Sequence, residues 1–118
     1  MKVLHLTLEK RWYNMILSGE KKEEYRECKP FWIKRLTKPE YHNMGQIELI
    51  HKLASKEAFR TDYDVIQFSN GYQKGCRKMT VELRGMHYGF PSNLNWIDGL
   101  NENNFYICLE LGKILSYS

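Results

Sequence analysis

KVLHLTLEKRWYNMILSGEKKEEYR, residues 2–26, changes its hydrophobic period twice within one short stretch. Leu4, Leu6 and Leu8 alternate with Val3, His5 and Thr7, the two-residue period of a strand with one face buried. From Leu8 onward the period lengthens. Leu8, Trp12, Met15 and Ile16 recur at helical spacing, and Ser18-Gly19 ends the helix, with glycine suited to the left-handed position after it. Residues 20–27, EKKEEYRE, then hold seven charged residues and one tyrosine, the composition of a solvated edge strand or loop. A strand and an amphipathic helix therefore deliver the chain to a charged segment that begins at Gly19.

Outward from this stretch, Pro30 opens PFWIKRL, where proline suits the first helical turn and Phe31, Trp32, Ile33 and Leu36 are expected to pack inward. Pro39 and Gly45 bracket a polar loop. Ile47, Ile50, Leu53 and Ala54 mark a further amphipathic helix over residues 46–57. The rest reads as strands. Asp64, Ile66 and Phe68 alternate with Val65 and Gln67, and Asn70-Gly71 makes a turn. Met79, Val81 and Leu83 alternate with Thr80, Glu82 and Arg84 over residues 78–86. Phe105, Ile107, Leu109 and Leu111 share one side of residues 104–111. Residues 87–103, rich in Gly, Asn and aromatics, read as a long connection of the kind that usually serves function. Strand-helix-strand, then helices, then strands argues against a doubly wound parallel sheet. The expected fold is α+β, a small mixed β-barrel with helices packed at its ends, whose closure removes exposed strand edges.

Composition sets wider bounds. The 118 residues fit one domain, residues 1–118, with a core that forms without disulfide or metal staples. Eighteen Lys and Arg against fourteen Asp and Glu leave a charge of +4, which suits an anionic partner without requiring one. Three Trp, eight Tyr and five Phe supply core volume and stacking platforms for bases. Cys28, Cys76 and Cys108 are widely spaced, so they read as free thiols of a reducing cytosol rather than a zinc ribbon or redox pair. His5, His42, His51 and His87 lack metal-ligand spacing. No metal or cofactor is expected, nor a membrane span, and the expected location is cytoplasmic. Nothing in the sequence fixes an oligomeric state.

Gly19, Lys21, Glu24 and Arg26 carry the chemistry. Glu24 and Arg26, two apart on an extended segment, point to one face. Lys21 joins them only if the turn runs through about residue 22. Arg26 then offers a planar fork of donors for phosphate, a base edge or Glu24 itself. Lys21 offers a compact charge and, on burial, a base or nucleophile. A surface pairing of Glu24 with Arg26 would do nothing measurable.

The segment GEKKEEYR, residues 19–26, resembles the G-x-K-x-x-E-x-R signature of the ASCH domain family, a branch of the PUA-like superfamily. Its flanking strand and helix, LHLTLEKRWYNMILSG, look similar too, as do NGY at residues 70–72 and MTVELRG at residues 79–85. Residues 37–62 and 87–103 diverge. The resemblance implies a β-barrel with a cleft that binds RNA or modified nucleosides, and it carries Lys21, Glu24 and Arg26 into that cleft. Family branches include a deacetylase of N4-acetylcytidine and an RNA-cleaving enzyme. The deacetylase branch keeps the lysine but has threonine where Glu24 stands.

Other residues have plainer roles open to them. Trp12 shares a face with Leu8, Met15 and Ile16 and reads as core. Tyr25 packs against a strand neighbour or stacks on a base. Asn70 and Tyr72 stand at a turn, and the resemblance adds them to the ligand-binding set. Glu82 pairs across strands or supplies a second carboxylate to the cleft. Trp96, within the long connection, is the aromatic hardest to place in a core. The expected function is therefore an RNA- or nucleotide-binding domain built around Lys21, Glu24 and Arg26. One alternative is an amidohydrolase acting on an acylated nucleoside, with Lys21 as base or nucleophile and Glu24 or Glu82 handling protons. The other is a protein-interaction module without a ligand.

Overall fold

The computed structural model describes residues 2–99 and 104–118. In chain order the elements are β1 (Lys2–Leu8), α1 (Lys10–Leu17), β2 (Glu23–Glu27), α2 (Pro30–Leu36), α3 (Gln46–Ala54), β3 (Tyr63–Asn70), β4 (Lys78–Gly89) and β5 (Tyr106–Tyr117). Single 3-10 turns lie at Pro39–Tyr41 and Leu94–Trp96. The strands form one mixed five-stranded sheet of order β1-β3-β4-β5-β2, so the fold is α+β with three α-helices among the described residues. The chain groups into two compact units. One comprises residues 1–24, 62–85 and 110–118, the other residues 25–61 and 86–109.

In the first unit β1 pairs in parallel with β3, Val3 opposite Val65 and Leu8 opposite Asn70. A parallel pair needs a crossover, and α1 lies within the long connection between the two strands, packed against both. The period-two reading of β1 holds: Leu4, Leu6 and Leu8 are buried. β3 is buried on both faces at its centre, with Val65, Ile66 and Phe68 all in the core. That is the pattern of an inner strand, since β3 lies between β1 and an antiparallel β4. Trp12, Tyr13 and Ile16 bury the inner stripe of α1.

In the second unit, α2 begins on Pro30 as expected and buries Ile33 and Leu36, but Phe31 is 65% exposed and meets Trp32 edge-to-face. The expected inward packing of Phe31 fails because a seven-residue helix presents only one narrow stripe, which the i, i+3 pair Ile33 and Leu36 already fills. Likewise α3 ends at Ala54 and buries only Leu53, leaving Ile47 77% exposed. The chain after α3 returns to α2: Thr37 bridges Phe59, Lys38 N–H donates to Ala58 O at 2.8 Å and Arg60 N–H donates to Leu36 O at 3.0 Å.

The connection expected over residues 87–103 is shorter than its composition suggests. β4 continues through His87 and Tyr88 to Gly89, and a 3-10 turn occupies Leu94–Trp96. Residues 100–103 of that connection lie outside the described residues. Trp96 and Ile97 pack against a cluster of Tyr25, Tyr106 and Cys108. Trp96 is thus partly buried against the core despite its loop setting, and Tyr25, 5% exposed, packs within the cluster. Phe105 precedes β5 and is 54% exposed rather than aligned with Ile107.

Candidate functional site

Gly19 positions the site. Its φ of +85° is a left-handed conformation that glycine adopts without strain. The turn closes as Gly19 N–H donates to Ile16 O at 3.0 Å and Lys21 N–H donates to Met15 O at 2.9 Å. It continues through Lys22, and β2 begins only at Glu23. The condition for Lys21 to turn inward is therefore met.

Lys21 is 2% exposed and Glu24 3%. Lys21 Nζ donates to Glu24 Oε1 at 2.8 Å and lies 4.1 Å from the centre of the Trp12 ring. Trp12 also carries the Arg11 guanidinium 4.3 Å from its ring centre. The core reading of Trp12 thus needs an addition, because its ring supports an ammonium as well as filling space. A buried ion pair costs several kcal/mol per ion in lost hydration, returned only through close pairing. A buried pair is thus weak evidence for stability, which makes the cluster a candidate site.

Beside the pair lies a cavity of about 330 Å³ lined by Lys21, Lys22 and Lys113, with Ile16, Val81, Leu111 and Ile114 as its apolar walls. Gly19 and Gly112 complete the lining. Lys22 and Lys113 are exposed at its rim. Leu111 N–H donates to Lys22 O at 3.0 Å, which ties the motif turn to β5. Gly112 lies close under β4: a Cβ there would meet the Glu82 carboxylate and Arg84 Nε and lie 3.0 Å from Glu82 Cβ, so those side chains would have to shift. Sequence reasoning missed Lys22 and Lys113. Neither stands at a position that periodicity distinguishes, and only the meeting of β5 with the motif turn brings them together.

The other candidate residues are not among those that line the cavity. Glu82 is 3.5 Å from Arg84 Nε on its own strand, and its carboxylate accepts the Lys113 N–H at 3.4 Å. Its ion pair is therefore with Arg84 on its own strand, and its cross-strand contact is the hydrogen bond from the Lys113 backbone. Asn70 ends β3 and Tyr72 follows in the β3–β4 connection, both outside the cavity lining. Asn70 N–H donates to Arg77 O at 2.9 Å, and Tyr72 is almost fully exposed. Arg26 belongs to the second unit, where it donates to Tyr25 O at 2.8 Å and lies 5.0 Å from the Trp32 ring centre.

Among the described residues no group of three or more His, Cys, Asp and Glu is placed to hold a metal ion. No helix among them is long and apolar enough to cross a membrane. Compared with protein-family models, curated proteins and solved structures, the chain matches none.

Proposed function

We propose that this chain is an ASCH-type, PUA-like domain, its sheet of the family's barrel kind, that binds RNA or a nucleotide. One observation carries the reading: a cavity lined by the exposed Lys22 and Lys113 and by the Glu24-paired Lys21, walled by aliphatic side chains, with no carboxylate among its described lining residues. Such a surface favours an anion attached to a less polar body, which describes a phosphate joined to a nucleoside. Lys22 and Lys113 take the phosphate oxygens. Lys21 reaches phosphate or a base edge, Glu24 holds the Lys21 side chain in place, and Arg26 supplies a planar donor fork to the same RNA.

The test is fluorescence anisotropy with labelled single-stranded RNA at rising salt. Replacing the exposed Lys22 and Lys113 by Ala leaves folding intact. Each lysine that no longer neutralises a phosphate lowers the slope of log affinity against log salt by about 0.7. Unchanged affinity and slope in Lys22→Ala, Lys113→Ala and Arg26→Ala would sink the reading. Hydrolysis of N4-acetylcytidine above the Lys21→Ala control would move the conclusion to an amidohydrolase.

A further inference from the structure

The second unit contains a cleft of its own, about 320 Å³, which the phosphate-binding reading does not use. Tyr88 and Phe105 stand on it with ring centroids 5.4 Å apart and planes at 71°. In an edge-to-face pair the edge-on ring keeps both faces clear of its partner. Phe105 is more than half exposed, an arrangement that leaves a large apolar ring in water at the mouth of a concavity. Tyr106 is buried at the cleft and belongs to the cluster with Tyr25 and Cys108. The aromatic wall is thus anchored to the core on one side and open on the other.

Around these rings the lining is polar. Asn104 carries both an acceptor and two donors, and Tyr88 a hydroxyl that does both. Desolvation raises the Tyr88 phenol above its ordinary value, with Cys28 adding to it, so the hydroxyl stays a donor. Glu27 and Lys29 face each other at 3.4 Å with both side chains more than half exposed. A pair so wet is worth little, and its members change partners at little cost. Aromatic faces ringed by mixed donors and acceptors match a planar ring with a hydrogen-bonding edge. An aliphatic chain would leave those polar groups unanswered.

We infer that this cleft takes an unstacked nucleobase, sandwiched against Phe105 or Tyr88 with its edge read by Asn104, Glu27 and Lys29. The base comes from a free nucleoside or from single-stranded RNA. The inference rests on the nucleotide-binding reading for its ligand class, but it uses none of the residues of the lysine-lined cavity.

The experiment titrates uncharged adenosine and cytidine, and separately a labelled single-stranded RNA, into wild type, Phe105→Ala and Tyr88→Phe. Amide NMR shifts at Cys28, Lys29 and Tyr88 report on the cleft. Phe105 is exposed, so its replacement is expected to leave the melting temperature unchanged. In wild type the nucleosides shift these amides. In Phe105→Ala the shifts disappear and RNA binds roughly tenfold more weakly, with an unaltered salt slope because every phosphate-binding lysine is still present. Tyr88→Phe retains the stacking and loses only base preference. Nucleosides that leave these amides unmoved, together with wild-type RNA affinity in Phe105→Ala, overturn the inference even if Lys22→Ala and Lys113→Ala lose RNA. Nucleoside binding here without salt-sensitive RNA binding supports it and overturns the phosphate reading instead.

Discussion

Lys21–Glu24 in the first unit and Lys52–Glu57 in the second are ion pairs of nearly equal length, 2.8 and 2.9 Å. Their surroundings are opposite. The first pair has side-chain exposures of 1% and 4%, the second 38% and 56%. For Lys52–Glu57 the mutual hydrogen bond holds the Glu57 carboxyl below its ordinary value and the Lys52 ammonium above it, yet water and salt screen both charges. For Lys21–Glu24 neither charge has water to fall back on. Separation alone therefore says little about the worth of an ion pair. What decides is the medium that would receive each charge if its partner were removed.

The largest effect expected from this contrast comes from Lys21→Ala, which leaves the Glu24 carboxylate buried without its ammonium. Urea denaturation is expected to show a loss of about 3–5 kcal/mol with an unchanged slope. Replacing both partners together, Lys21→Met with Glu24→Leu, removes both buried charges and recovers most of that loss. A single variant no worse than Lys52→Ala would break the contrast outright.

A smaller effect is expected at Cys28. The residue as a whole is exposed, but desolvation of its thiol pushes the pKa up to about 11. The sign follows from the neutral form being favoured in the folded state. That contribution is present below the ordinary value near 9 and is lost as pH rises towards 11. Alkylation of Cys28 by iodoacetamide is expected to be slow at neutral pH and to accelerate only as pH approaches 11, since the thiolate is the nucleophile. Ready alkylation at about pH 8, below even the ordinary thiol range, would show that exposure of the residue, rather than the setting of its sulfur, governs the group.

The smallest effect belongs to Lys52→Ala. Its pair contributes above the ordinary carboxylate range, through the lowered Glu57, and below the ordinary lysine range, through the raised Lys52. Because both groups are exposed, the melting temperature is expected to stay within measurement error at physiological salt. A clear drop that vanished in high salt would mean that surface pairing matters here more than its setting suggests.

Much of the first unit was legible residue by residue. Leu4, Leu6 and Leu8 announce a strand because side chains alternate across a sheet, and Gly19 announces a helix end because few other residues tolerate its φ. The second unit was harder to read. Ile47 and Ile50 have helical spacing, but spacing shows only that a stripe exists and not that anything covers it. Phe31 and Phe105 were expected inside on the same ground and stand exposed. Trp96 showed the converse error, a loop aromatic that packs on Tyr25, Tyr106 and Cys108.

The sequence by itself determined the α+β class, the strand-helix-turn that ends at Gly19, and the choice of Lys21 and Glu24 as residues to watch. These follow from local rules of period, handedness and charge, which act over a few neighbouring residues. Only the tertiary structure decided that the Lys21–Glu24 pair is buried with Lys21 against Trp12, that Lys22 and Lys113 line one cavity, and that Tyr88 and Phe105 share a cleft. Those facts depend on which strand lies beside which. Strand neighbours are chosen by the burial of the whole core, at sequence separations that no local period encodes.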